Sequence, residues 1–509
     1  MKTPSSIRQF WRRGEPGVWA SGAALAAMLL GIAGMLAVVA ANGVVVFWPH
    51  RLCEFTLHDG SRVLGEVQQW QDVRGGGRRV QLKVGNRDLY GLDFRWIEGA
   101  DVAGTRFPCD AVALERQEYG NFYGYLAGVS AADGGPGDGT GGGWAALEAA
   151  WRQARQQREA LERLQRGINR NNLRMERTRL RLLRLRHRGV AEDDPRVAGL
   201  LDRQAALQRE FSQLVAQSNA AAVECRRRTA RFVDSHGSEE VLPVFGIVRA
   251  YRPNAMGRLA KARFYLGKVG ELLFGQPREA NTEGGIFPAI VGTILLVLGT
   301  MLFSLPLGVL SAVYLVEYAH DNLFTRMIKL SVVNLSGIPS IVYGLFGFTM
   351  FVMMLHLGTS ILAGSLTLAI MSLPVIITAS KEALESVPNT YREISLSLGA
   401  TKWQTVRYCV LPYAIPGILT GTVLSLSRAA GETAPILFTV AAFYLPRLPH
   451  SVFDQVMALP YHLYVISTQV PNIPLELSFA TALVLVGLVF LMNLVSIFLR
   501  AHYRKKRLW

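Results

Sequence analysis

Six apolar runs, each long enough to cross a lipid bilayer as a helix, constrain this chain more than any other feature of its sequence. The hydrocarbon core of a bilayer is about 30 Å thick, and a helix needs about 20 apolar residues to cross it. The runs cover residues 18–48, 286–316, 331–354, 359–379, 412–440 and 477–499. We therefore expect a mainly α-helical, polytopic membrane protein with six transmembrane helices.

The first run could instead belong to a cleaved signal peptide, because Arg12 and Arg13 precede it. The apolar region of such a peptide is typically about 7–15 residues long. This run is longer and continues to Phe47. Its length favours an uncleaved transmembrane helix at 18–48, which follows a short N-terminal segment, residues 1–17.

Charged residues concentrate between the first and second runs. Residues 51–284 contain 37 of the 54 lysines and arginines and 29 of the 38 aspartates and glutamates. The net charge of +16 would suit a nucleic-acid partner. However, basic and acidic residues are interleaved here, as on a surface in contact with water. We therefore expect a large water-exposed insertion and no nucleic-acid partner.

The basic residues of the short loops predict the orientation, since cytoplasmic loops are enriched in lysine and arginine. Such residues are frequent before the first run, between the fourth and fifth runs, and in the tail at 501–509. They are absent from 355–358, and Arg447 is the only one in 441–476. Both termini are thus predicted to be cytoplasmic and residues 49–284 extracytoplasmic.

The first part of the insertion has the pattern of a small sheet. Short alternating runs separated by turn residues predict a β-rich unit over residues 53–128. A glycine-rich linker follows at 134–143. Cys53 and Cys109 bracket the β unit, and an oxidising compartment would make them a candidate disulfide.

The rest of the insertion, residues 144–232 and 241–274, has mainly helical patterns. Apolar residues at helical spacing predict two helices, 144–188 and 196–232, joined as an antiparallel hairpin. A solvated stalk is the simplest interpretation of this hairpin. Residues 241–252 predict a strand that returns to the β unit, and residues 258–274 an amphipathic helix on the outer membrane face.

Catalytic and cofactor motifs are not found in the sequence. It contains no glycine-rich nucleotide-binding loop of the form G-x-x-x-x-G-K-[ST], no metal-ligand spacing and no nucleophile beside a base. We therefore expect no catalytic residue, metal or cofactor in this chain, and we expect any chemistry to be supplied by a partner.

The loop at 380–417 is too long and too patterned to be a simple turn. Apolar residues from Leu384 to Leu398 predict a short helix, which Gly399 breaks, and those from Trp403 to Val410 predict a second one. Two short helices crossing at a glycine would form a compact knob that fits a groove on another protein.

The fifth run contains a pair of charges within the segment SLSRAAGETAPILF, residues 425–438. Arg428 and Glu432 are four residues apart and would share one helix face. A charge at membrane depth costs at least about 2.5–3.5 kcal/mol, so it is rarely without a role. Either the pair is a buried salt bridge that fixes helix packing, or it lines the pathway of a small anion.

The loop resembles the coupling loop of ABC importer permeases, whose pattern is E-A-A, three residues, G, nine residues, I, one residue, L-P. Glu393, Gly399, Leu411 and Pro412 stand at matching places, with Ala400 after the glycine. The chain departs from the pattern by Ile394-Ser395 in place of two alanines and by Cys409 in place of isoleucine. The resemblance implies a coupling loop at 380–412.

The segment RAAGETAPILF resembles the phosphate-specific transport (Pst) permeases of the PstA type, as do residues 284–293, 306–318 and 336–348. The resemblance covers about 280–500 and, by position, the first run, but not the insertion. It implies a permease core at 285–500 in the cell inner membrane. The pathway residues it implies are Arg428, Glu432, Thr433 and Ser425.

The same resemblance implies an assembly. Its expected members are a second permease of the PstC type, two ATP-binding subunits that use ATP and Mg²⁺, an extracytoplasmic phosphate-binding protein, and surrounding membrane lipid. Two other functions remain open. The chain could be a permease for another oxyanion, molybdate or sulfate, or a membrane-anchored signalling or tethering protein whose outer stalk is the working part.

Overall fold

The computed structural model describes residues 15–72, 77–130, 143–190, 194–278, 281, 283–445, 447–470 and 475–505. The N-terminal arginines, nearly all of the predicted linker and the last four residues lie outside these ranges. The chain folds as two compact units. We call residues 1–48 with 264–509 the membrane unit and residues 49–263 the insertion unit, and each is described by itself.

The membrane unit begins with helix α1 (Glu15–Val45). Its apolar part is 29 residues long, which corresponds to about 43 Å of helix and exceeds the thickness of a bilayer core. A side chain at Gly43 would clash with the backbone of Phe479 and Ala480 near the C-terminus. This glycine therefore allows the two ends of the membrane unit to pack closely.

The insertion unit contains two five-stranded antiparallel sheets. The first, with the order β4-β3-β2-β1-β5, consists of β1 (Leu52–Leu57), β2 (Arg62–Asp72), β3 (Arg78–Lys83), β4 (Phe94–Glu98) and β5 (Val102–Arg106). The second, with the order β10-β6-β7-β8-β9, consists of β6 (Val112–Arg116), β7 (Asn121–Val129), β8 (Thr229–Val233), β9 (Glu239–Pro243) and β10 (Ile247–Tyr251). The predicted β unit is thus completed by strands that follow the hairpin.

Two of the predicted boundaries are wrong at the second sheet. The helix predicted to reach residue 232 ends earlier, because β8 carries Phe232 into the core with none of its side chain exposed. The single strand predicted at 241–252 is two strands, separated by a tight turn at Val244–Gly246. These strands, β9 and β10, lie at opposite edges of the sheet.

The predicted disulfide is not formed, since Cys53 and Cys109 are both free. Cys53 is buried on β1 among the apolar side chains of the first sheet, whereas Cys109 is exposed. Burial, followed by the charge of Glu54, raises the pKa of the Cys53 thiol to about 11. In the folded protein this buried thiol is therefore less reactive than an exposed one.

The hairpin consists of α2 (Trp144–His187) and α3 (Pro195–Arg226). The base of α2 packs on the second sheet, where Leu147 joins the buried core and the Trp151 indole donates a hydrogen bond to the Ile247 carbonyl at 3.2 Å. The carboxylate of Asp194 accepts a hydrogen bond from the Arg196 amide at 2.8 Å and caps α3.

The insertion unit ends within α4 (Arg258–Phe274), at Arg263, and not at residue 284 as the sequence predicts. The reason is that the second half of α4 is part of the membrane unit. Its Leu272 is buried together with Ile286 and Met457. A short ribbon of β11 (Pro277–Arg278) and β12 (Glu283–Gly284) follows.

The helices of the membrane core follow in chain order. They are α5 (Phe287–Tyr318), α6 (Leu323–Leu335), α7 (Ser340–Met354), α8 (Ile361–Glu385), α9 (Asn389–Ser397), α10 (Lys402–Gly431), α11 (Ala434–Thr439), α12 (Leu459–Thr468) and α13 (Leu475–Lys505). Within the described residues, five helices are each long and apolar enough to span a bilayer: α1, α5, α8, α10 and α13. The predicted mainly helical membrane fold with an inserted β unit and hairpin is confirmed.

The third predicted span, 331–354, is not one helix. It belongs to the pair α6 and α7, which are bent by 105° relative to each other. The residues between them include Gly337 and Pro339, and a proline has no amide hydrogen to continue a helix. If this bent pair is counted as one span, the described residues contain six spans, the number that the sequence predicts.

Small residues bring α5 and α8 together at the centre of the membrane unit. A side chain at Gly299 would clash with Ser365, and one at Gly308 would clash with Ile376. Close packing of this kind stabilises helix pairs in lipid, where the hydrophobic effect between helices is lost.

Candidate transport pathway and coupling loop

The charged pair lies where α10 ends. The helix runs to Gly431, and Glu432 has an extended backbone, with φ −76° and ψ 128°. The prediction that Arg428 and Glu432 share one face of a continuous helix is therefore wrong for Glu432. The physical reason is Pro435, whose ring would clash with the Gly431 carbonyl if the helix continued.

Arg428 and Glu432 nevertheless form an ion pair across this helix end. The Arg428 Nε donates to the Glu432 Oε1 at 3.1 Å, and 46% of the arginine side chain and 18% of the glutamate side chain are exposed. Among the described residues, the two terminal nitrogens of Arg428 have no hydrogen-bond partner. The guanidinium is thus held by one atom and keeps donors available for an anion.

The two other predicted pathway residues flank this pair. Ser425, one turn before Arg428, is 2% exposed, and its hydroxyl has no hydrogen-bond partner among the described residues. Thr433 lies between the two helices, and its carbonyl accepts the Leu437 amide at 3.1 Å at the start of α11. Thr433 therefore stabilises the backbone after the break.

Helix α7 also reaches this region, which the sequence did not predict. Gly344 packs against the break, since a side chain there would lie 3.0 Å from the Ala434 carbonyl oxygen and 3.1 Å from Pro435. Tyr343 is 5% exposed and interacts electrostatically with Arg428. Its hydroxyl donates to the Leu335 carbonyl, at the end of α6, at 2.7 Å. The bend between α6 and α7 and the break between α10 and α11 are therefore both connected, through Tyr343 and Gly344, to the region of Arg428.

The predicted coupling loop contains one short helix, α9. It begins at Asn389 and not at Leu384, which still belongs to α8, and it ends at the glycine as expected. Gly399 has φ +84°, a conformation that glycine adopts without strain, and the Ala400 amide donates to the Ser395 carbonyl at 3.2 Å. Glu393 is exposed, as is 83% of Leu398. The end of α9 therefore presents an acidic and an apolar side chain to solvent.

The prediction of a second, separate short helix in this loop is wrong. Residues 403–410 are helical, but they form the first part of α10. A capping box between Thr401 and Gln404 starts this helix, and a wide π-helical turn follows at Val406–Val410. Leu411 and Pro412 continue it. The wide turn relieves the clash that Pro412 would cause in a regular helix.

Arg392 anchors the coupling loop, and the sequence did not indicate this role. Its Nε and Nη2 donate to one carboxylate oxygen of Glu317, at the end of α5, at 3.0 and 2.8 Å. It also donates to the carbonyls of Leu384 at 2.9 Å and Val387 at 2.7 Å and to the Asn389 Oδ1 at 3.4 Å. Only 16% and 9% of the two charged side chains are exposed. Because Glu317 lies 75 residues away, no local pattern could reveal the pair.

No group of three or more histidine, cysteine, aspartate or glutamate side chains that could hold a metal occurs among the described residues. The notable side chains are instead a half-exposed cation between apolar helices and an exposed, anchored loop. Together with five helices long enough to span a bilayer among the described residues, these features are those expected of a membrane permease subunit.

Comparison with known proteins narrows this class. Residues 304–508 match the family described as binding-protein-dependent transport system inner membrane component. The probable ABC transporter permease protein YqgI of Bacillus subtilis is 37% identical over a 198-residue alignment that covers 36% of this chain and 67% of that protein. The phosphate transport system permease protein PstA 1 of Mycobacterium tuberculosis is 36% identical over 225 residues, 44% of this chain and 73% of that protein.

This chain belongs to the family of ABC importer permeases, in its PstA-type group. It is therefore a multi-pass inner-membrane protein and a transport subunit, not an enzyme.

Proposed function

We propose that this chain, together with a second permease of the PstC type, forms the pathway by which inorganic phosphate crosses the inner membrane. The observation that carries the proposal is the Arg428 guanidinium, whose terminal nitrogens have no hydrogen-bond partner among the described residues. The Arg428 side chain is 46% exposed among apolar helices. Arginine offers planar paired donors that match the oxygens of phosphate. Relatives named as phosphate transport permeases support the choice of anion.

Glu432 has a second role in this proposal. By holding the Nε of Arg428, it orients the guanidinium while leaving the terminal nitrogens free to bind. Its negative charge also competes with the anion, which keeps binding weak enough for release. Ser425 and Thr433 supply further hydroxyl groups on the two sides of Arg428.

Energy for transport comes from two ATP-binding subunits that dock on the cytoplasmic loops of the two permeases, and one of them docks on the coupling loop of this chain. They bind the ATP and Mg²⁺, and this chain holds no cofactor. Glu393, Gly399 and Ala400 form the docking surface, and Leu411 and Pro412 transmit its movement into α10. A phosphate-binding protein delivers the anion from the extracytoplasmic side, where residues 49–284 lie, while both termini are cytoplasmic and lipid surrounds the helices.

Phosphate uptake by the complex reconstituted in vesicles tests the pathway. We expect Arg428→Ala to reduce uptake by about tenfold to a hundredfold, the loss expected for a hydrogen-bonded charge. Glu432→Gln should raise the affinity for phosphate and slow its release. Arg326→Ala is the matched control, because this arginine is 69% exposed. Normal uptake and affinity in both pathway variants would refute the assignment.

Competition distinguishes phosphate from other oxyanions. Molybdate or sulfate in excess should leave the uptake of labelled phosphate unchanged. Equal competition by either anion would favour a permease for that anion. A membrane tether, by contrast, would show no uptake, and no ATP-binding subunit would purify with it.

A further inference from the structure

The outer half of the α2–α3 hairpin carries a continuous stripe of arginines. Eight arginines follow one another at intervals of three or four residues along α2 and just beyond its end: Arg163, Arg166, Arg170, Arg174, Arg177, Arg181, Arg184 and Arg188. At 3.6 residues per turn they lie within an arc of about 80°, and at 1.5 Å per residue they extend over about 37 Å. All are exposed.

This stripe differs from the inner half of the same helix, where charges are paired. There Arg152 lies 3.4 Å from Glu148, and Arg155 lies 3.8 Å from Glu159. In the stripe, Arg166 has an acidic partner, Glu162, at 3.7 Å. Of the seven others, the six that lie within α2 have no ion pair with any residue that the structure describes: Arg163, Arg170, Arg174, Arg177, Arg181 and Arg184. Like charges at this spacing destabilise a helix, so a merely solvated stalk has no reason to carry the stripe.

Apolar side chains lie along one edge of the stripe. Leu173 is 38% exposed and Leu180 is 45% exposed. Each lies three or four residues from stripe arginines, so it neighbours them on the helix surface. The opposite side of the helix packs on α3, where Leu161 and Leu182 are buried. The stripe and its leucines therefore face away from the hairpin interior.

We propose that this stripe binds the surface of an anionic phospholipid bilayer. A row of guanidinium groups about 37 Å long suits a flat array of headgroup phosphates. Leucines beside basic side chains are typical of helices that lie in a membrane interface. An acidic protein is the weaker alternative, because protein interfaces are centred on buried aromatic and apolar anchors, whereas Leu173 and Leu180 lie at the edge of the stripe and not at its centre.

Binding of the full chain, held in phosphatidylcholine nanodiscs, to separate vesicles tests this proposal. Wild-type protein should bind vesicles of mixed phosphatidylcholine and phosphatidylglycerol, should not bind vesicles of phosphatidylcholine alone, and should be released by salt. Replacing the six unpaired stripe arginines with glutamine should weaken binding by at least about tenfold. Glutamine keeps a good helix propensity, so the hairpin should remain folded.

The matched control removes six exposed arginines that do not form the stripe: Arg152, Arg155, Arg179, Arg203, Arg209 and Arg227. It changes the net charge equally and should retain most of the binding. Equal loss in both variants would mean that only net charge matters and would overturn the proposal. So would wild-type protein that does not prefer phosphatidylglycerol, or a stripe variant that binds vesicles normally but loses a protein subunit from the purified complex.

Discussion

Two arginine–glutamate pairs of the membrane unit differ in how many donors they leave available. Arg392 donates from all three guanidinium nitrogens, to Glu317, to two backbone carbonyls and to the Asn389 side chain. Arg428 uses one, on Glu432. The Arg392 and Glu317 side chains are nearly buried, with 16% and 9% of them exposed, whereas 46% of the Arg428 side chain is exposed.

The difference separates two uses of the same residue types. A fully bonded pair fixes the position of its surroundings, and removing one partner leaves a buried charge without compensation. A partly bonded arginine retains capacity to bind an anion. Stability should therefore depend mainly on Arg392, and substrate affinity on Arg428.

The largest effect should follow loss of the anchor. Arg392→Ala should cost about 3–5 kcal/mol, because it leaves Glu317 buried and unpaired. We expect a lower midpoint of thermal unfolding for the purified complex and loss of uptake coupled to ATP hydrolysis. The double variant Arg392→Ala with Glu317→Ala should recover part of the stability. If Arg392→Ala and Arg428→Ala lower the midpoint equally, the distinction between the pairs is wrong.

A smaller effect, on affinity alone, is expected for Arg428→Lys. Lysine keeps the charge but loses the planar paired donors, so the KM for phosphate should rise by about tenfold, the value of about one hydrogen bond to a charged group. The thermal midpoint should hardly change. Uptake measured over a range of phosphate concentrations gives the KM, and Lys381→Arg provides a control in the same unit. An unchanged KM would show that the paired geometry is not used.

The smallest effect concerns a third pair, in the insertion unit. Arg116 donates to both carboxylate oxygens of Asp88, at 2.6 and 2.8 Å. Burial alone would raise the pKa of the Asp88 carboxyl, but its hydrogen bonds and the charge of Arg116 outweigh burial and lower this pKa. The pair therefore contributes stability above the unfolded pKa of about 3.9, and this contribution is lost as pH falls through the lower folded pKa.

Asp88→Asn should accordingly make the thermal midpoint of the protein less dependent on pH below about pH 4. The exposed Asp72, whose side chain is 81% accessible, provides the control substitution Asp72→Asn. Equal pH dependence in wild type and Asp88→Asn would show that this pair contributes no acid-sensitive stability.

The sequence predicted the parts of the fold that depend on local patterns. The apolar runs located the membrane helices, and periodicity located the hairpin. The helix breaks were harder. The ring of Pro435 ends α10 before Glu432, although the apolar run predicted from the sequence extends to residue 440. Hydropathy records composition along the chain and does not register a local steric clash.

Sequence patterns could not predict contacts between segments that are far apart along the chain. Glu317 and Arg392 are found in different segments, and only the fold places them together. In the sequence, Tyr343 is one aromatic residue in an apolar run. Its position close to Arg428 depends on the bend between α6 and α7. Cys53 and Cys109 illustrate the opposite error. They bracket the β unit, which suggested a disulfide, but the fold buries Cys53 and exposes Cys109, and both are free.

The length of α2 has a mechanical consequence. The helix contains 44 residues, which corresponds to about 65 Å, and its base is bound to the second sheet through Trp151 and Arg158. A long helix held at one end acts as a lever. If the sheet turns by about 5°, a rigid helix of this length moves its far end by about 6 Å. Small adjustments at the sheet, too slight to disturb its hydrogen bonds, would thus become displacements larger than a side chain at the hairpin tip.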